Sequence, residues 1–284
     1  MGGGNSSPSP PQPLLSAPWR NLPQDKKEDL EFVKAFQPGN KNVKQLRILL
    51  HGPVGAGKSS FINSVNSVLQ NRIIGRAPTD AISGSSYTKK YKTYKIRNGQ
   101  GSHYPFVFSD IMGFEKDTDR GVHVDDVILA LKGHVEEGYQ FDPTQRLKEG
   151  DEGYRSSPTL NDRVHVLVCV IPADKVSLVD DKVVKKMREV RLAASELDIP
   201  QLAIITRADL ACPEVKKNVN NAYTSNYLKE QVDKFYMLLG IPQNCIFLVK
   251  NYDPDPNINA DMNALIMNAL RQMITFGDDF LSDP

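Results

Sequence analysis

Hydrophobic positions along this chain follow two periodicities that alternate from one stretch to the next. Continuous apolar runs typical of buried strands cover residues 46–50, 164–171, 202–206 and 245–249. Elsewhere, apolar residues recur every three or four positions, which is the spacing of one helix face. This spacing predicts helices over residues 24–36, 61–69, 124–131, 180–197, 223–239 and 258–274. Strands that alternate with helices predict an α/β fold whose mostly parallel sheet is covered by helices on both faces.

Two further strands are predicted to add an antiparallel hairpin to this sheet. Residues 91–96 alternate between polar and apolar, and residues 104–109 form a second, more apolar run. The Asn98-Gly99 pair between them is a strong signal for a hairpin turn. The second run ends in Asp110-x-x-Gly113. The predicted sheet therefore has six strands.

The first strand leads into Gly52-x-x-x-x-Gly57-Lys58-Ser59, which is the phosphate-binding P-loop pattern, and a helix follows it. Glycines let the backbone turn its N–H groups inward as an anion cradle, and the helix N-terminus adds positive charge. Lys58 can reach the β- and γ-phosphates, while the Ser59 hydroxyl can ligate Mg²⁺. The predicted phosphate contacts are Gly55, Ala56, Gly57, Lys58, Ser59 and Ser60.

Polar residues also follow other strands at the carboxyl edge of the sheet, where ligands of open α/β folds bind. Asp110 is expected to hold Mg²⁺ through a water, with the Gly113 N–H at the γ-phosphate. The alternative for Asp110 is a plain strand-end turn residue. Asn251, in the loop after the last strand, is a further candidate contact to the base. The order and spacing of these elements match those of P-loop GTPases.

The segment Thr206-Arg207-Ala208-Asp209 resembles the Asn/Thr-Lys-x-Asp element with which GTPases read the base. A carboxylate at Asp209 would accept hydrogen bonds from the N1–H and the 2-amino group of guanine, a pair of donors that adenine lacks. The aliphatic stem of Arg207 can cover the purine face. The predicted ligands are therefore GTP or GDP with Mg²⁺. The alternative role for Asp209 is to cap the segment that follows it.

A threonine is expected to provide a further Mg²⁺ ligand from the loop before the hairpin. Thr79 and Thr88 are both candidates, and Thr88 is favoured because it lies directly before the predicted strand at 91–96. Lys58 and Thr88 are the predicted catalytic residues.

Two positions predict slow hydrolysis. Phe114 stands where many small GTPases carry the glutamine that orients the attacking water, and Val54 occupies a loop position that is glycine in the fast ones. A missing catalytic group would then come from elsewhere in the chain or from a partner, such as an arginine supplied in trans. The candidate partners are a second copy of this chain or another protein. Arg120, Arg146 and Arg155 are interpreted as solvated surface charges.

The chain is predicted to divide into four segments. Residues 1–18 are a disordered tail rich in Pro, Ser and Gly, and residues 19–45 form a docking segment with Trp19 and a helix that packs beside the first strand. Residues 46–276 form the GTPase-like domain, in which 114–163 is a long mobile switch or insertion region. Residues 277–284 are a C-terminal tail.

Charge and cysteine content narrow the expected partners and location. The 284 residues carry a net charge of +1, which gives no reason to expect a nucleic-acid partner. Three cysteines without CxxC spacing, the absence of a signal peptide and the absence of a run of about 18 apolar residues predict a cytoplasmic protein. Met1-Gly2-x-x-x-Ser6 fits the N-myristoylation pattern, with a flexible glycine-rich start as the alternative. A single acyl chain would bind membrane only reversibly.

Four stretches resemble the interferon-induced protein 44 family: residues 18–20, 49–63, 86–94 and 160–163. The likeness covers residues 18–275, roughly, and leaves out the Pro-rich tail. The resemblance implies a cytoplasmic P-loop protein with a GTPase-like domain and a role in interferon-driven antiviral responses. The leading hypothesis is a guanine-nucleotide-binding protein with weak GTPase activity. The alternative is a scaffold that binds nucleotide as a structural ligand, without significant hydrolysis.

Overall fold

A twisted sheet forms the centre of the protein. The computed structural model describes residues 14–22, 27–75, 77, 89–99, 101–117, 120–252 and 257–282. These residues form a six-stranded sheet in the order β2-β3-β1-β4-β5-β6, in which β2 is antiparallel to β3 and the other pairs are parallel. The strands are β1 Leu46–His51, β2 Lys92–Arg97, β3 His103–Asp110, β4 Val166–Pro172, β5 Gln201–Thr206 and β6 Ile246–Leu248. The predicted fold class is confirmed.

Helices connect the strands. They are α1 Glu28–Ala35, α2 Lys58–Gln70, α3 Val124–Lys132, α4 Asp181–Glu196, α5 Ala208–Ala211, α6 Pro213–Lys217, α7 Asn226–Leu239 and α8 Ala260–Ser282, with short 3₁₀ turns at Ala173–Leu178, Val219–Tyr223 and Gln243–Cys245. Side chains fix two of the starts: Asp180 accepts a hydrogen bond from the Lys182 N–H, and Ser225 accepts one from the Leu228 N–H. Such caps satisfy N–H groups that a helix start leaves without intrahelical partners. No helix in the described stretches is long and apolar enough to cross a membrane.

Burial along the strands follows their position in the sheet. All seven residues of β4 are buried, because helices cover both faces of this central parallel strand. The edge strand β2 buries only Ile96. The continuous apolar run and the alternating run of the sequence therefore correspond to a central strand and an edge strand.

The N-terminal helix packs against α8, and not beside the first strand as predicted. Asp29, on α1, is 3% exposed and accepts hydrogen bonds from Arg271 Nη1 at 2.8 Å and Asn268 Nδ2 at 3.0 Å. The Arg271 guanidinium also lies 4.9 Å from the centre of the Phe32 ring. A buried carboxylate needs such partners, so this ion pair fixes α1 on α8.

The last helix continues to Ser282, whereas the prediction ended it at Ile274 and assigned residues 277–284 to a tail. Gly277 lies inside this helix, although a glycine late in a helical pattern often marks a C-terminus. Here it permits close packing: a Cβ at Gly277 would lie 2.5 Å from Val166 Cγ2 and 2.7 Å from Leu46 Cδ1. The helix therefore crosses β1 and β4 in direct contact with their side chains.

The region at residues 114–163 is irregular in backbone conformation, and many of its described residues pack against the rest of the protein. The Tyr91 N–H donates to the Tyr139 carbonyl at 2.8 Å, and the Leu147 N–H donates to Asp126 Oδ1 at 2.9 Å. Burial raises the pKa of the Asp126 carboxyl. The apolar side chains buried in this region are Phe114, Val122, Val127, Ala130, Leu131, Val135, Phe141 and Leu147.

Residues 14–22 lie against the far edge of the sheet. The Leu15 N–H donates to the Thr224 carbonyl at 2.8 Å, and Trp19 packs edge-on against Tyr223 with ring centres 4.9 Å apart. The Arg20 guanidinium lies 5.2 Å from the Phe247 ring centre and donates to the Ile246 carbonyl. We refer to residues 14–22 as the N-terminal strap.

Gly277→Ala is expected to lower the free energy of unfolding by about 1–2 kcal/mol. The added methyl would lie under 3 Å from two buried side chains, so the overpacking is expected to cost about 2–3 kcal/mol. The better helix propensity of alanine offsets about 1 kcal/mol of this cost. Urea unfolding measures the change. Gly75→Ala is the control, since a Cβ there meets nothing within 4 Å. Equal stability of the two variants would contradict the close packing.

A lower pH is expected to reduce the free energy of unfolding, because His165 becomes protonated. The Arg47 N–H donates to its Nδ1 at 2.9 Å, while its Nε2 lies 2.8 Å from the Leu160 carbonyl, so the ring is neutral with its proton on Nε2. Burial lowers the pKa of His165 from 6.5 to about 4. The contribution of the neutral His165 ring to the free energy of unfolding is therefore complete above pH 6.5. This contribution totals about 3 kcal/mol and is lost as the pH falls to about 4.

Unfolding midpoints measured between pH 7.5 and 4 check this dependence. Gln can also donate and accept once, so His165→Gln should fold yet show a flatter pH profile. The matched substitution His103→Gln changes an exposed histidine and should leave the profile as it is. If the unfolding midpoint of His165→Gln depends on pH as strongly as that of the unsubstituted chain, His165 is not the source of the acid sensitivity.

Candidate functional site

Four loops meet at the carboxyl edge of the sheet. The P-loop follows β1, residues 111–114 follow β3, residues 207–209 follow β5, and residues 249–252 follow β6. Because β1 pairs in parallel with both β3 and β4, the P-loop lies in the middle of this edge. The topology thus brings together the segments that sequence spacing had singled out.

The P-loop has the backbone conformation of an anion cradle. Gly52, Gly55 and Gly57 have φ values of +145°, +71° and +92°, which favour glycine. A Cβ at Gly52 would lie 2.1 Å from the Val170 carbonyl oxygen, whereas one at Gly55 would meet nothing within 4 Å. The loop is therefore packed tightly at its base and open at Gly55.

The start of α2 faces the loop. Its hydrogen-bond ladder includes the Phe61 N–H, which donates to the Gly57 carbonyl at 2.9 Å. By helix geometry, the N–H groups of Lys58, Ser59 and Ser60 in the first turn have no intrahelical acceptor. Together with the positive end of the helix dipole, they suit an anion.

Lys58 lies over the loop that precedes it. Its side chain is 6% exposed, and its ammonium donates to the Pro53 carbonyl at 3.1 Å and the Gly52 carbonyl at 3.3 Å. These carbonyls replace the water that a buried charge loses. The ammonium is thereby held at the mouth of the cradle.

Ser59 and Asp110 form the candidate Mg²⁺ site. Ser59 Oγ donates to Asp110 Oδ2 at 2.7 Å, and Asp110 is fully buried. The described residues contain no cluster of three or more His, Cys, Asp and Glu able to hold a metal ion. Mg²⁺ nevertheless suits this place, because it usually takes one or two protein oxygens and keeps several waters. Thr79 and Thr88 both lie outside the described residues.

Thr206 and Asn251 brace the P-loop. Thr206, fully buried, donates its hydroxyl to the Ala56 carbonyl at 2.6 Å, and Asn251 Nδ2 donates to the Gly57 carbonyl at 3.3 Å. Thr206 was predicted to contact the nucleotide, and its hydroxyl also supports the loop. Asn251 Oδ1 is buried and accepts no hydrogen bond from the protein. This orphaned acceptor beside the cradle fits a ligand that carries N–H groups.

The proposed base-reading segment continues from Thr206 at the end of β5 into α5. Arg207 adopts the left-handed conformation, with φ +55°, and its carbonyl accepts hydrogen bonds from the Leu210 and Ala211 N–H groups. This turn begins α5 and places Asp209 in its first turn. Lys250 Nζ lies 4.0 Å from Asp209 Oδ2. Lys250 was not among the predicted contact residues.

Phe114 is joined to the P-loop by its backbone. Its N–H donates to the Gly52 carbonyl at 3.0 Å, and its carbonyl accepts from the Val54 N–H at 3.2 Å. The ring is 1% exposed and packs edge-on against His51, with ring centres 6.0 Å apart. Gly113 comes so close that a Cβ there would lie 2.6 Å from Val54 N. The segment after β3 therefore rests directly on the loop.

Two residues that sequence reasoning missed support this contact. Lys186, on α4, donates its ammonium to the Glu115 carbonyl at 2.7 Å. His51, at the end of β1, is buried under the loop; burial, and then the charge of Lys58, lower its pKa to about 3. The neutral ring can thus pack on Phe114. No pattern of residue types marks either side chain, because the contacts join distant parts of the chain.

Comparison with known proteins identifies relatives that are longer than this chain. Human interferon-induced protein 44 is 31% identical over 262 residues, or 91% of this chain and 58% of that protein. Human interferon-induced protein 44-like is 32% identical over 89% of this chain and 56% of its own length, and the mouse interferon-induced protein 44 is 31% identical over 89% and 60%. The chain thus spans under two thirds of the length of these relatives.

Comparisons with protein-family models and with solved structures add no further family or function. No protein-family model matches the chain. A crystal structure titled as a probable GTP-binding protein engB matches with a TM-score of 0.41 and 13% identity, over 81% of this chain and 98% of that one. The fold assignment therefore rests on the strand order and on the P-loop itself.

Phe114→Gln is expected to lower the free energy of unfolding by about 2–4 kcal/mol. The change removes a buried ring and places an amide where the ring packs on His51. Thermal or urea unfolding measures the loss. The neighbouring Glu115→Gln changes a side chain at the half-buried loop surface, and should stay within about 0.5 kcal/mol. A Phe114→Gln variant as stable as the unsubstituted chain would show that the ring has little structural role.

Proposed function

Because this chain belongs to the interferon-induced protein 44 family, and because it carries a complete P-loop, we propose that it is a cytoplasmic guanine-nucleotide-binding protein with slow, Mg²⁺-dependent GTPase activity. Its physiological role would be in the antiviral response to interferon, as the family resemblance implies. The observation that carries the biochemical part is the convergence of the cradle, the Ser59–Asp110 pair and Asp209 at one sheet edge.

The chain's own groups account for phosphate and metal binding. The N–H groups of residues 55–60 and the Lys58 ammonium would hold the phosphates, while the Ser59 hydroxyl and the Asp110 carboxylate would hold Mg²⁺, with Thr88 as the expected switch ligand. Mg²⁺, when bound, would neutralise charge on the β- and γ-phosphates. The Gly113 N–H is the expected donor to the γ-phosphate.

Asp209 would select guanine. Its two carboxylate oxygens can accept from N1–H and the 2-amino group, and the stem of Arg207 can lie against the purine. The orphaned Oδ1 of Asn251 supports the placement of a hydrogen-bonding ligand beside this segment. ATP offers no matching pair of donors to Asp209.

Slow hydrolysis follows from Phe114. A buried ring can neither orient water nor donate a hydrogen bond, and its backbone occupies the Val54 N–H. A group that assists catalysis would come from a partner, either a second copy of this chain or another protein. The second candidate function, a scaffold that binds nucleotide without significant hydrolysis, is favoured by the same contact between Phe114 and the P-loop.

Nucleotide binding tests the proposal. We expect GDP to bind in the presence of Mg²⁺ and to be preferred over ADP, as measured by titration with fluorescent analogues. Asp209→Asn should weaken GDP binding by about 100-fold, since it leaves guanine donors without a charged acceptor, and should favour XDP, whose 2-oxo group matches the amide. Asp279→Asn, at an exposed position of α8, is the matched control.

Lys58→Ala should abolish detectable binding of both GDP and GTP, while Lys185→Ala, an exposed lysine on α4, should not. Equal affinity for ADP and GDP in the unsubstituted chain would refute the role of Asp209. Single-turnover hydrolysis over a range of protein concentrations separates the two candidate functions. Turnover that rises with concentration indicates assistance by a second copy, and no turnover at any concentration supports the scaffold.

A further inference from the structure

The carboxylate proposed to read guanine has a charged neighbour from another loop. Lys250 Nζ lies 4.0 Å from Asp209 Oδ2, and the two side chains are 16% and 18% exposed. Forty-one positions of sequence separate them, so only the fold brings them together. An ion pair between partly buried groups is screened less by water than one on the surface.

The backbone of Lys250 is fixed on both sides. Before it, the Val249 N–H donates to the Ile205 carbonyl at 2.9 Å, which extends the pairing of β6 with β5. After it, Asn251 is bonded to the P-loop, and the Tyr252 N–H donates to Ser64 Oγ at 2.9 Å. Lys250 therefore projects from a segment that is hydrogen-bonded to β5, to the P-loop and to α2.

The element that carries Asp209 is short. It is α5, a helix of four residues that begins at the left-handed Arg207. So short a helix does little by itself to hold a side chain in one orientation. A carboxylate that must accept two parallel hydrogen bonds loses affinity if it rotates, because both acceptors move together.

We propose that Lys250 is the positioning residue of the base-reading carboxylate. Its ammonium holds Oδ2 of Asp209 and supplies the counter-charge that a partly buried carboxylate needs. At 4.0 Å the contact is an ion pair longer than a hydrogen bond, so the carboxylate keeps lone pairs for the N1–H and the 2-amino group of guanine. Lys250 thus acts on guanine through Asp209. This inference rests on the proposed function.

Two other roles for Lys250 make different predictions. If its ammonium competed with the base for Asp209, its removal would tighten GDP binding. If it donated directly to O6 of guanine, its removal would weaken binding whether or not residue 209 carries a charge. A thermodynamic cycle between positions 209 and 250 distinguishes these roles from positioning, because only positioning requires the carboxylate.

The experiment measures dissociation constants for GDP, XDP and ADP by titration with Mg²⁺ present. Lys250→Met should weaken GDP binding about tenfold and leave the weak ADP binding unchanged, and Lys250→Arg should stay within about threefold. In the Asp209→Asn background, Lys250→Met should change XDP affinity by less than about twofold. Lys185→Met is the control for loss of an exposed lysine. Thermal unfolding verifies that each variant folds, and Lys250→Gln replaces Lys250→Met if that variant does not.

Each outcome has one interpretation. Equal losses in the two backgrounds would show that Lys250 contacts the base, and tighter GDP binding would show that it competes; either result would overturn the inference while the proposed function stands. The same holds if Lys250→Met binds GDP as the unsubstituted chain does. Absence of a preference for GDP over ADP in the unsubstituted chain would overturn the proposed function itself.

Discussion

The carbonyl oxygens of the P-loop need hydrogen-bond donors, because a buried carbonyl that lacks water must find a partner in the protein. This constraint organises the carboxyl edge of the sheet. The Gly52 carbonyl accepts from Phe114 N–H and Lys58, the Ala56 carbonyl accepts from Thr206, and the Gly57 carbonyl accepts from Asn251. The end of β5 and the segments after β3 and β6 thus each contribute a donor. The shape of the anion cradle depends on all of them, because an orphaned carbonyl would cost about 1–3 kcal/mol.

The periodicity of apolar residues was sufficient to predict the sheet, since burial on both faces leaves a continuous apolar run at β4 and a half-exposed edge leaves alternation at β2. The end of α8 was placed too early, because the close approach of Gly277 to β1 and β4 is a contact between distant parts of the chain. The hydrogen bond from the Thr206 hydroxyl to the P-loop could not be predicted for the same reason. Lys250 could not be assigned, because its ion pair depends on the separation of β5 and β6 in space.

At Phe114, the chain has a side chain that packs and cannot take part in hydrolysis. At the position where many small GTPases carry a glutamine, the chain buries a ring against a neutral histidine, and Lys186 bonds the carbonyl of the next residue. The contact makes the segment after β3 part of the support of the P-loop. Movement of this segment would require separation of two backbone hydrogen bonds and exposure of an aromatic ring.

The two edges of the sheet are protected from pairing with other chains in different ways. Edge strands expose backbone groups that can pair with other chains, and proteins protect them with charge or with a covering segment. At one edge, β2 carries Lys92, Lys95 and Arg97. At the other, the short β6 has no charge of its own, and Arg20 of the N-terminal strap bonds the Ile246 carbonyl at its start. The strap therefore occupies a backbone acceptor at this edge, and a shortened chain that begins at α1 would lose that bond.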